Sequence, residues 1–300
     1  MSNAKWHPDK LRQLLISQQE EYHRRGLEHE LYVETDKAFY SEWLCHRLII
    51  LSLIPQECRR TGTKVVDVGG GKGRMSTLLS GLGLECVNID CLYLEADTLN
   101  VEGKPLIPLV KSFCEEKGVR ILARDAYEDG IPFPDDTFDL AIFSEVIEHL
   151  PNSPKPLLVE IHRILRKGGW MILTTPNLAS YTRRVSALFG GSTREPIESF
   201  YKMEGYSIGS VYRGHNREYT LQEVEYMLTQ ENFAIVHAQT CDFSAQRSVG
   251  NLARKISGSL VRGWRSGHQG IKKALLRLGE FVFKRISPRM GNYIAILARK

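Results

Sequence analysis

Four glycines stand close together in one short segment, directly after a run of β-branched residues. The segment reads Asp67-Val-Gly69-Gly70-Gly71-Lys-Gly73. Glycine tolerates positive φ and lets a ligand approach the backbone where a Cβ would block it. The helix predicted to follow begins with exposed N–H groups and the positive end of its dipole, which suit a carboxylate or a phosphate. The segment therefore predicts a binding loop between a strand and a helix.

A dinucleotide site is the main competing interpretation of this glycine loop. That site requires Gly-x-Gly-x-x-Gly, but counting from Gly69 the sixth position is Arg74. The carboxylate of Asp67 would also repel a pyrophosphate, whereas it suits a ligand that carries an ammonium group. The residues thus favour a ligand with an amino-acid end. A plain glycine turn without any ligand is the other alternative.

With its Gly-x-Gly-x-Gly spacing and its preceding acid, the loop resembles the first motif of class I S-adenosylmethionine (SAM)-dependent methyltransferases. The resemblance continues over residues 64–177, whose later segments follow in the family's order and spacing. It implies that all four glycines of the loop border SAM and that Asp67 supports the amino-acid end of the cofactor. The product would be S-adenosylhomocysteine.

Two acids, an alanine and a serine downstream carry the rest of the expected cofactor site. Asp90 ends the second predicted strand, 23 residues after Asp67, where a carboxylate can accept hydrogen bonds from both ribose hydroxyls. Asp125 and Ala126 match the family's adenine contacts, and Ser144 ends the fourth strand at the same edge of the sheet. The alternatives are a surface acid at Asp90 and a turn-capping acid at Asp125.

Two histidines stand where an acceptor would lie. Methyl transfer depends mainly on alignment, and a hydroxyl acceptor is helped by a general base, for which imidazole is suited near neutral pH. His149 follows the fourth strand, and His215 lies in a segment, 214–220, that resembles sugar- and lipid-pathway methyltransferases. Both are candidate bases. The structural alternatives are a helix start at His149 and a lid brace at His215.

A possible metal site overlaps one of these histidines. The spacing Glu145-x-x-Glu148-His149 resembles a divalent-cation site in quinone-pathway O-methyltransferases. Two carboxylates and an imidazole could hold Mg²⁺ or a softer ion. The same letters occur in metal-free relatives, so the sequence leaves the metal open.

These motifs lie on alternating strands and helices. Apolar and β-branched runs predict seven strands, at 64–68, 85–90, 120–123, 138–143, 170–175, 233–240 and 292–298. Thr220 and Glu223 form a predicted capping box at the start of a helix. The alternation predicts an α/β fold with a doubly wound sheet. The resemblance implies its Rossmann-like, seven-stranded form, in which the last strand is antiparallel.

The chain is expected to have four parts. A helical N-terminal cap covers 1–60, and the SAM-binding core covers 61–245. The core includes a lid, 178–219, whose aromatic side chains suit a ring, a sugar face or an acyl chain, or else pack the lid. A basic amphipathic helical insertion, 246–290, precedes the final core strand, 291–300.

Positive charge is concentrated near the C-terminal end. Residues 247–300 carry 13 Lys and Arg against one acid, Glu280, whereas residues 1–246 carry 27 basic and 34 acidic residues. The basic helices of 248–289 could attach to an anionic membrane surface. They could equally dock on the core with a solvated basic face. Contact with nucleic acid phosphates is the less favoured interpretation.

The remaining composition indicates an ordinary globular protein. The N-terminal sequence lacks a secretory signal pattern, and the longest apolar stretch, 44–55, is interrupted by His46 and Arg47. Six cysteines without CxxC spacing indicate reduced thiols rather than a zinc or disulfide site. We therefore expect a cytoplasmic protein, with peripheral attachment to the inner membrane face as a further interpretation.

The sequence thus predicts a SAM-dependent methyltransferase acting on a hydroxyl of a small-molecule, saccharide or lipid-linked acceptor. The alternatives are a nucleic-acid methyltransferase and a catalytically silent SAM-binding scaffold. The position after the fourth strand reads Ser144-Glu-Val-Ile, which lacks the Asn/Asp-Pro-Pro-Tyr/Phe motif of many adenine N-methyltransferases. It also lacks the Pro-Cys pair that supplies the thiol nucleophile of cytosine C5 enzymes.

Overall fold

The structure is a computed structural model that describes residues 5–27, 37–91, 106–194, 197–202, 207–208, 211–212, 214–242 and 289–300. Its helices are α1 (Pro8–Arg24), α2 (Lys37–Leu53), α3 (Arg74–Gly81), α4 (Leu106–Glu116), α5 (Lys155–Ile164), α6 (Tyr181–Leu188), α7 (Ile197–Lys202) and α8 (Leu221–Gln230). Its strands are β1 (Lys64–Val68), β2 (Glu85–Asp90), β3 (Arg120–Ala123), β4 (Phe138–Ser144), β5 (Leu165–Pro176), β6 (Ser207–Ile208), β7 (Val211–Tyr212), β8 (Ala234–Cys241) and β9 (Tyr293–Arg299).

Seven of these strands form the central sheet, in the order β3-β2-β1-β4-β5-β9-β8. Strands β1 to β5 are parallel to one another, while β9 is antiparallel to both β5 and β8. The predicted Rossmann-like sheet with an antiparallel last strand is therefore confirmed. The strand order reverses between β1 and β4, and a crevice for ligands forms at the carboxyl ends of parallel strands at such a point.

The two faces of the sheet bury two separate cores, because successive side chains of a strand point to opposite faces. Val65 and Ile142 belong to one core, whereas their neighbours Val66 and Phe143 belong to the other. The first core includes Leu11 and Ile50 of the N-terminal helices α1 and α2, together with Leu78 of α3 and Val110 of α4. The second packs against α5 and α8, with Leu157 and Val224. Burial of both faces accounts for the continuous apolar character of the central strands.

Two helices, α1 and α2, make up the described part of the N-terminal cap. Helix α1 ends at Arg24, two residues before Gly26, whose φ of 65° is left-handed. The structure describes these two helices of the cap, and residues 28–36 between them lie outside the described residues. Both helices pack on the first core, close to the carboxyl edge of the sheet.

Strand β5 begins earlier than the sequence predicts. It starts at Leu165 rather than at residue 170, and its pairing with β4 shifts register between Phe138 and Leu140. Gly168, at φ 72°, lies within this irregularity. Gly168 and Gly169 thus lie inside an irregular strand, where the left-handed Gly168 accommodates the extra residues.

The segments around the lid complete the described fold. The capping box of α8 is confirmed: the Thr220 side chain accepts from the Glu223 backbone N–H, and the Glu223 side chain accepts from the Thr220 backbone N–H. Short elements α6, α7, β6 and β7 lie in the lid and were not predicted individually. Most of the predicted basic insertion, 243–288, lies outside the described residues. Among the described helices, none has the length and apolar character needed to cross a membrane.

Candidate active site

The glycine loop joins β1 to α3 and depends on left-handed backbone at three positions. Gly69, Gly71 and Gly73 have φ values of 74°, 53° and 75°. At Gly70 the constraint is space rather than φ, since an added Cβ would lie 2.6 Å from the Asp67 carboxylate. Nothing lies within 4 Å of a Cβ built on Gly71, so the loop is open at that residue. The loop therefore exposes backbone on one side and covers a buried acid on the other.

Asp67 lies beneath this loop rather than in it. Its side chain is 3% exposed, and its Oδ2 accepts a hydrogen bond of 2.6 Å from the Ser76 hydroxyl on α3. Burial raises the Asp67 pKa to about 6, although hydrogen bonds from Ser76 partly oppose the shift. A buried carboxylate in this state is stabilised by positive charge nearby.

Asn88 and Asp90 on β2 hold the far side of the loop. The backbone N–H of Gly71 donates to Asp90 Oδ2 at 2.8 Å, and Asn88 Nδ2 donates to the Gly71 carbonyl at 3.2 Å. The Oδ1 of Asn88 is buried without a hydrogen-bond partner in the described structure, and a Cβ on Gly70 would lie 2.7 Å from it. The unpartnered Asn88 Oδ1 and the buried Asp67 carboxylate beneath the loop fit the ammonium and sulfonium charges of SAM.

The N-terminal cap contributes directly to the loop, which the sequence did not reveal. The hydroxyl of Tyr22 on α1 donates to the Lys72 carbonyl at 3.0 Å, inside the loop. Gln18 donates to the Arg74 carbonyl at 2.7 Å and to the Thr77 hydroxyl at 2.8 Å. Burial raises the Tyr22 pKa, so this phenol stays protonated and remains a donor. Helix α1 thus braces the loop from outside.

Asp125 is buried at 6% exposure and caps a turn. Its Oδ1 accepts from the backbone N–H groups of Tyr127, at 3.0 Å, and Glu128, at 3.3 Å. The neighbouring Ala126 is also buried, at 9% exposure. The turn-capping alternative therefore describes the observed hydrogen bonds of Oδ1. The adenine contacts of Asp125 and Ala126 stay predictions.

A second polar cluster lies at the carboxyl ends of β4 and β5. The hydroxyls of Ser144 and Thr174 share a hydrogen bond of 2.8 Å, and the His46 Nε2 lies 2.9 Å from the Thr174 hydroxyl and 3.3 Å from that of Ser144. His46 comes from α2 and is 4% exposed. Burial lowers its pKa to about 3, so the ring is neutral. Ser144 therefore bonds to this imidazole, while its predicted cofactor contact stays a prediction.

Glu145 follows Ser144 in an unusual conformation. Its φ of 56° lies in the left-handed region, which is uncommon for residues other than glycine and often occurs at functional sites. Its carboxylate lies 3.7 Å from His46 Nε2. Burial, together with the nearby charge of Glu148, raises the Glu145 pKa well above its usual value. The left-handed residue thus places a carboxyl with a raised pKa beside the neutral His46 ring.

Glu148 and His149 lie one turn further on. The Glu148 side chain is 1% exposed, and its Oε2 accepts from the Thr175 hydroxyl at 2.9 Å. Its backbone carbonyl accepts from Asn216 N at 2.8 Å, which ties this turn to the segment that carries His215. The rings of His149 and His215 meet edge to face with their centroids 4.9 Å apart. The structure therefore brings both predicted histidines together.

His215 is oriented by an acid that the sequence analysis did not single out. Its Nδ1 lies 2.7 Å from Oε1 of Glu218, whose side chain is 2% exposed. Glu218 also forms an ion pair with Arg183 on lid helix α6. Burial, together with the neighbouring His149 ring and the charge of Arg183, lowers the His215 pKa to about 4. A neutral imidazole held by a carboxylate through Nδ1 has its tautomer fixed.

The metal hypothesis is changed by this geometry. Ligand atoms of Glu148, His149 and His215 all lie within 4.8 Å of one another, a spacing that could hold a cation. Glu145 is not in this group and lies beside His46 instead. Two members of the predicted set, Glu148 and His149, belong to this group together with His215, whereas Glu145, with its left-handed φ, lies outside it.

Comparison with known families identifies the class of protein. A family model described as a methyltransferase domain matches residues 38–238. Because the match covers well over half of the chain, the chain belongs to this methyltransferase family. The predicted resemblance to class I SAM-dependent methyltransferases is confirmed, and with it SAM as the cofactor of the family.

Individual relatives are distant and match only in part. An uncharacterized methyltransferase of Bacillus subtilis, YcgJ, is 28% identical over 118 residues, or 39% of this chain and 42% of that protein. A ubiquinone biosynthesis O-methyltransferase of Cereibacter sphaeroides is 29% identical over 116 residues, with the same two shares. The chain thus spans about two fifths of the length of these relatives.

A solved structure confirms the fold independently. The SAM-dependent methyltransferase from Mesorhizobium loti superposes with a TM-score of 0.50 at 16% identity, covering 87% of this chain and 98% of that one. At this identity the likeness concerns the arrangement of strands and helices. The chemistry of this chain must be argued from its own residues.

Proposed function

We propose that this protein transfers the methyl group of SAM to a hydroxyl of a small-molecule, saccharide or lipid-linked acceptor. The observation that carries the proposal is the pair of buried Glu218 and half-buried His215, which faces His149 at the edge of the sheet that also carries the glycine loop. A carboxylate that orients a neutral imidazole is the arrangement by which proteins prepare a base for a hydroxyl proton.

The residues of the two halves would have separate tasks. SAM supplies an electrophilic methyl group on a positively charged sulfur. The glycine loop, Asp67 and Asp90 hold and orient the donor. The acceptor hydroxyl loses its proton to His215 as the oxygen–methyl bond forms and the methyl–sulfur bond breaks. Glu218, 2.7 Å from Nδ1, stabilises the imidazolium that results.

The lowered pKa of His215 sets the pH dependence of this step. A group with a pKa of about 4 is unprotonated over the whole neutral range and can accept a proton there. Activity should therefore fall only in acid, as His215 becomes protonated, and stay level up to neutral pH. Burial makes His215 a weaker base, and Glu218 partly compensates by stabilising the imidazolium that forms in the transition state.

The lid supports an acceptor with apolar parts. Leu188 and Phe189, at the end of α6, are 82% and 86% exposed, and Tyr201 on α7 is 84% exposed. Such a set of exposed apolar side chains is unusual on a soluble surface and favours contact with a ligand or lipid. The lid, 178–219, carries six Lys and Arg against four acids, so its charge is nearly balanced. The exposed apolar side chains favour a lipid-linked acceptor over a nucleic acid.

A cofactor-release assay tests the proposal. The protein is incubated with SAM and fractionated cell extract, S-adenosylhomocysteine is measured, and the methylated product is identified by mass. We expect release in a fraction that contains a hydroxylated acceptor, and intact SAM in every fraction would instead favour a silent scaffold. A parallel sample treated with a chelator separates the base from a cation at Glu148, His149 and His215. Unchanged release supports the base, whereas loss that Mg²⁺ restores supports the cation.

A further inference from the structure

A groove of about 680 Å³ opens beside the candidate active site. One wall is the loop that follows His149, with Leu150 and Pro151, and the other is helix α8, with Tyr226 and Met227. The volume falls within the usual range for small-molecule sites, which are mostly apolar with a few polar groups. The groove is therefore large enough for much more than the atom that receives the methyl group.

The inner end of the groove is joined to the proposed base. Asn216 lines the groove, and its side chain donates to the His149 carbonyl at 3.1 Å while its backbone N–H donates to the Glu148 carbonyl at 2.8 Å. Asn216 is also the direct neighbour of His215 in the chain. A ligand lying in the groove would thus end close to the pair of imidazoles.

The lining indicates what kind of group the groove accepts. Tyr226 is 65% exposed and Met227 is partly buried, so an aromatic face and a flexible thioether are available to a ligand. Tyr219 forms part of the floor and is 3% exposed. The charged residues at the rim are engaged with each other, since Arg217 lies 3.2 Å from Glu223 and over the Tyr219 ring. The interior is left mainly apolar.

We propose that this groove binds the apolar, non-reacting body of the methyl acceptor. The inference rests on the proposed function and adds a substrate class: an elongated molecule with a hydroxyl at one end and an alkyl, prenyl or aromatic body at the other. The hydroxyl lies at His149 and His215, and the body lies against Tyr226 and Met227. Binding energy from the remote body positions the hydroxyl for transfer.

Binding of 4-alkylphenols with methyl, butyl and hexyl chains tests the groove. Their dissociation constants are measured by calorimetry on protein loaded with S-adenosylhomocysteine, together with the affinity for SAM itself. Removing methylenes from water favours binding, but part of the chain stays hydrated in an open groove, so we expect affinity to rise about tenfold from methyl to hexyl. Because SAM binding is read separately, failure of the cofactor site is distinguishable from failure of the groove.

Two substitutions should abolish this dependence on chain length. Tyr226→Ala removes the exposed aromatic face, and Ser153→Trp fills the groove from the opposite wall. Val236→Ala is the matched control, since Val236 is an apolar side chain on β8, 55% exposed, that does not line the groove. All three variants should keep the affinity for SAM and the unfolding temperature of the unmodified protein.

Three results would overturn the proposal. One is a wild-type affinity that does not rise with chain length, and another is a rise that survives both Tyr226→Ala and Ser153→Trp. The third is a concentration-dependent dimer that Tyr226→Ala dissolves, because the groove would then bind a second copy of the chain. A chain-length effect present in the unmodified protein and in Val236→Ala, and absent from both groove variants, supports it.

Discussion

The two halves of the candidate site are built in different ways. The cofactor half is a backbone structure: a glycine loop held between Asp67, Asp90 and the Tyr22 hydroxyl, with its main parts close together in the chain. The acceptor half is made of ionisable side chains from separate segments, among them His46 and His215. The first half is shaped by local conformation, whereas the second depends on tertiary packing.

The pKa shifts of the two halves also differ, in their direction. The cofactor half contains the buried acid Asp67, whose pKa is raised to about 6 by burial. The acceptor half holds two imidazoles whose pKa values are lowered, to about 3 for His46 and about 4 for His215. The cofactor half therefore suits a positively charged ligand, while the acceptor half keeps the His46 and His215 rings neutral and able to accept a proton. Substitutions in each half test this difference.

The largest effect is expected at His215. Replacement by asparagine keeps a polar side chain but removes the proposed base, so kcat should fall about 1,000-fold with little change in the affinity for SAM. Glu218→Gln should give a smaller loss, since it removes the group that stabilises the imidazolium. His162→Asn is the control, because His162 is also a partly buried histidine with a lowered pKa but packs on Phe233. Equal losses in kcat and SAM affinity would contradict separate tasks for the two halves.

Asp67→Asn should change stability and cofactor binding in opposite directions. Because the folded-state pKa is raised, the folded protein holds the Asp67 proton more tightly than the unfolded chain does. This contribution is present in acid and is lost as pH rises from about 4 to about 6, at most ~3 kcal/mol.

Asparagine is neutral at every pH, so the variant should lack this decline and be more stable than the unmodified protein at pH 7. Its affinity for SAM should fall, since the negative charge beneath the loop is removed. Urea unfolding at several pH values, with calorimetry for SAM, measures both effects. A variant less stable at pH 7 would show that Asp67 is stabilised by its ionised hydrogen bonds.

Gly70→Ala tests the backbone character of the cofactor half. The added Cβ would meet the Asp67 carboxylate at 2.6 Å, so we expect a loss of about 2 kcal/mol in unfolding free energy and weaker SAM binding. Gly81→Ala is the matched control, because nothing lies within 4 Å of its Cβ and it sits at the end of α3. If both variants behaved alike, the space above Asp67 would not be what selects glycine.

The smallest effect is expected at Tyr22. Tyr22→Phe removes the hydrogen bond to the Lys72 carbonyl and should cost about 1 kcal/mol of unfolding free energy, with a few-fold loss of SAM affinity. Tyr226→Phe is the control, since the Tyr226 hydroxyl belongs to an exposed side chain on α8, outside the glycine loop. An unchanged SAM affinity in Tyr22→Phe would show that α1 supports the fold but not the loop.

Local patterns were sufficient to predict the strands and the glycine loop, whereas the seven-stranded form with its antiparallel last strand came from the family resemblance. Strands β1 and β3 have the predicted bounds, and the capping box at Thr220 is present as expected. These features depend on neighbouring residues, on periodicity and on the need for positive φ, all of which are visible in the sequence. The predicted start of β5 was wrong because the pair Gly168–Gly169 lies inside an irregular strand, whereas two adjacent glycines usually indicate a turn before a strand.

The acceptor half was less predictable because its partners are far apart in the chain. His46 appeared only as an interruption of an apolar stretch, yet it lies 2.9 Å from the Thr174 hydroxyl, 128 residues away. Glu218 stands three residues after His215 and could have been found from that spacing. The place of Glu145 beside His46 depends on its left-handed backbone, for which the sequence carried no signal.

The position of the transferred methyl group tests the central claim most directly. SAM labelled with ¹³C in its methyl group is incubated with the protein and the acceptor fraction, and the product is examined by NMR. We predict that the label appears on an oxygen of the acceptor, and that His215→Asn greatly slows its appearance while leaving SAM bound. Label on nitrogen or carbon, or an undiminished rate in His215→Asn, would contradict a hydroxyl acceptor activated by this histidine.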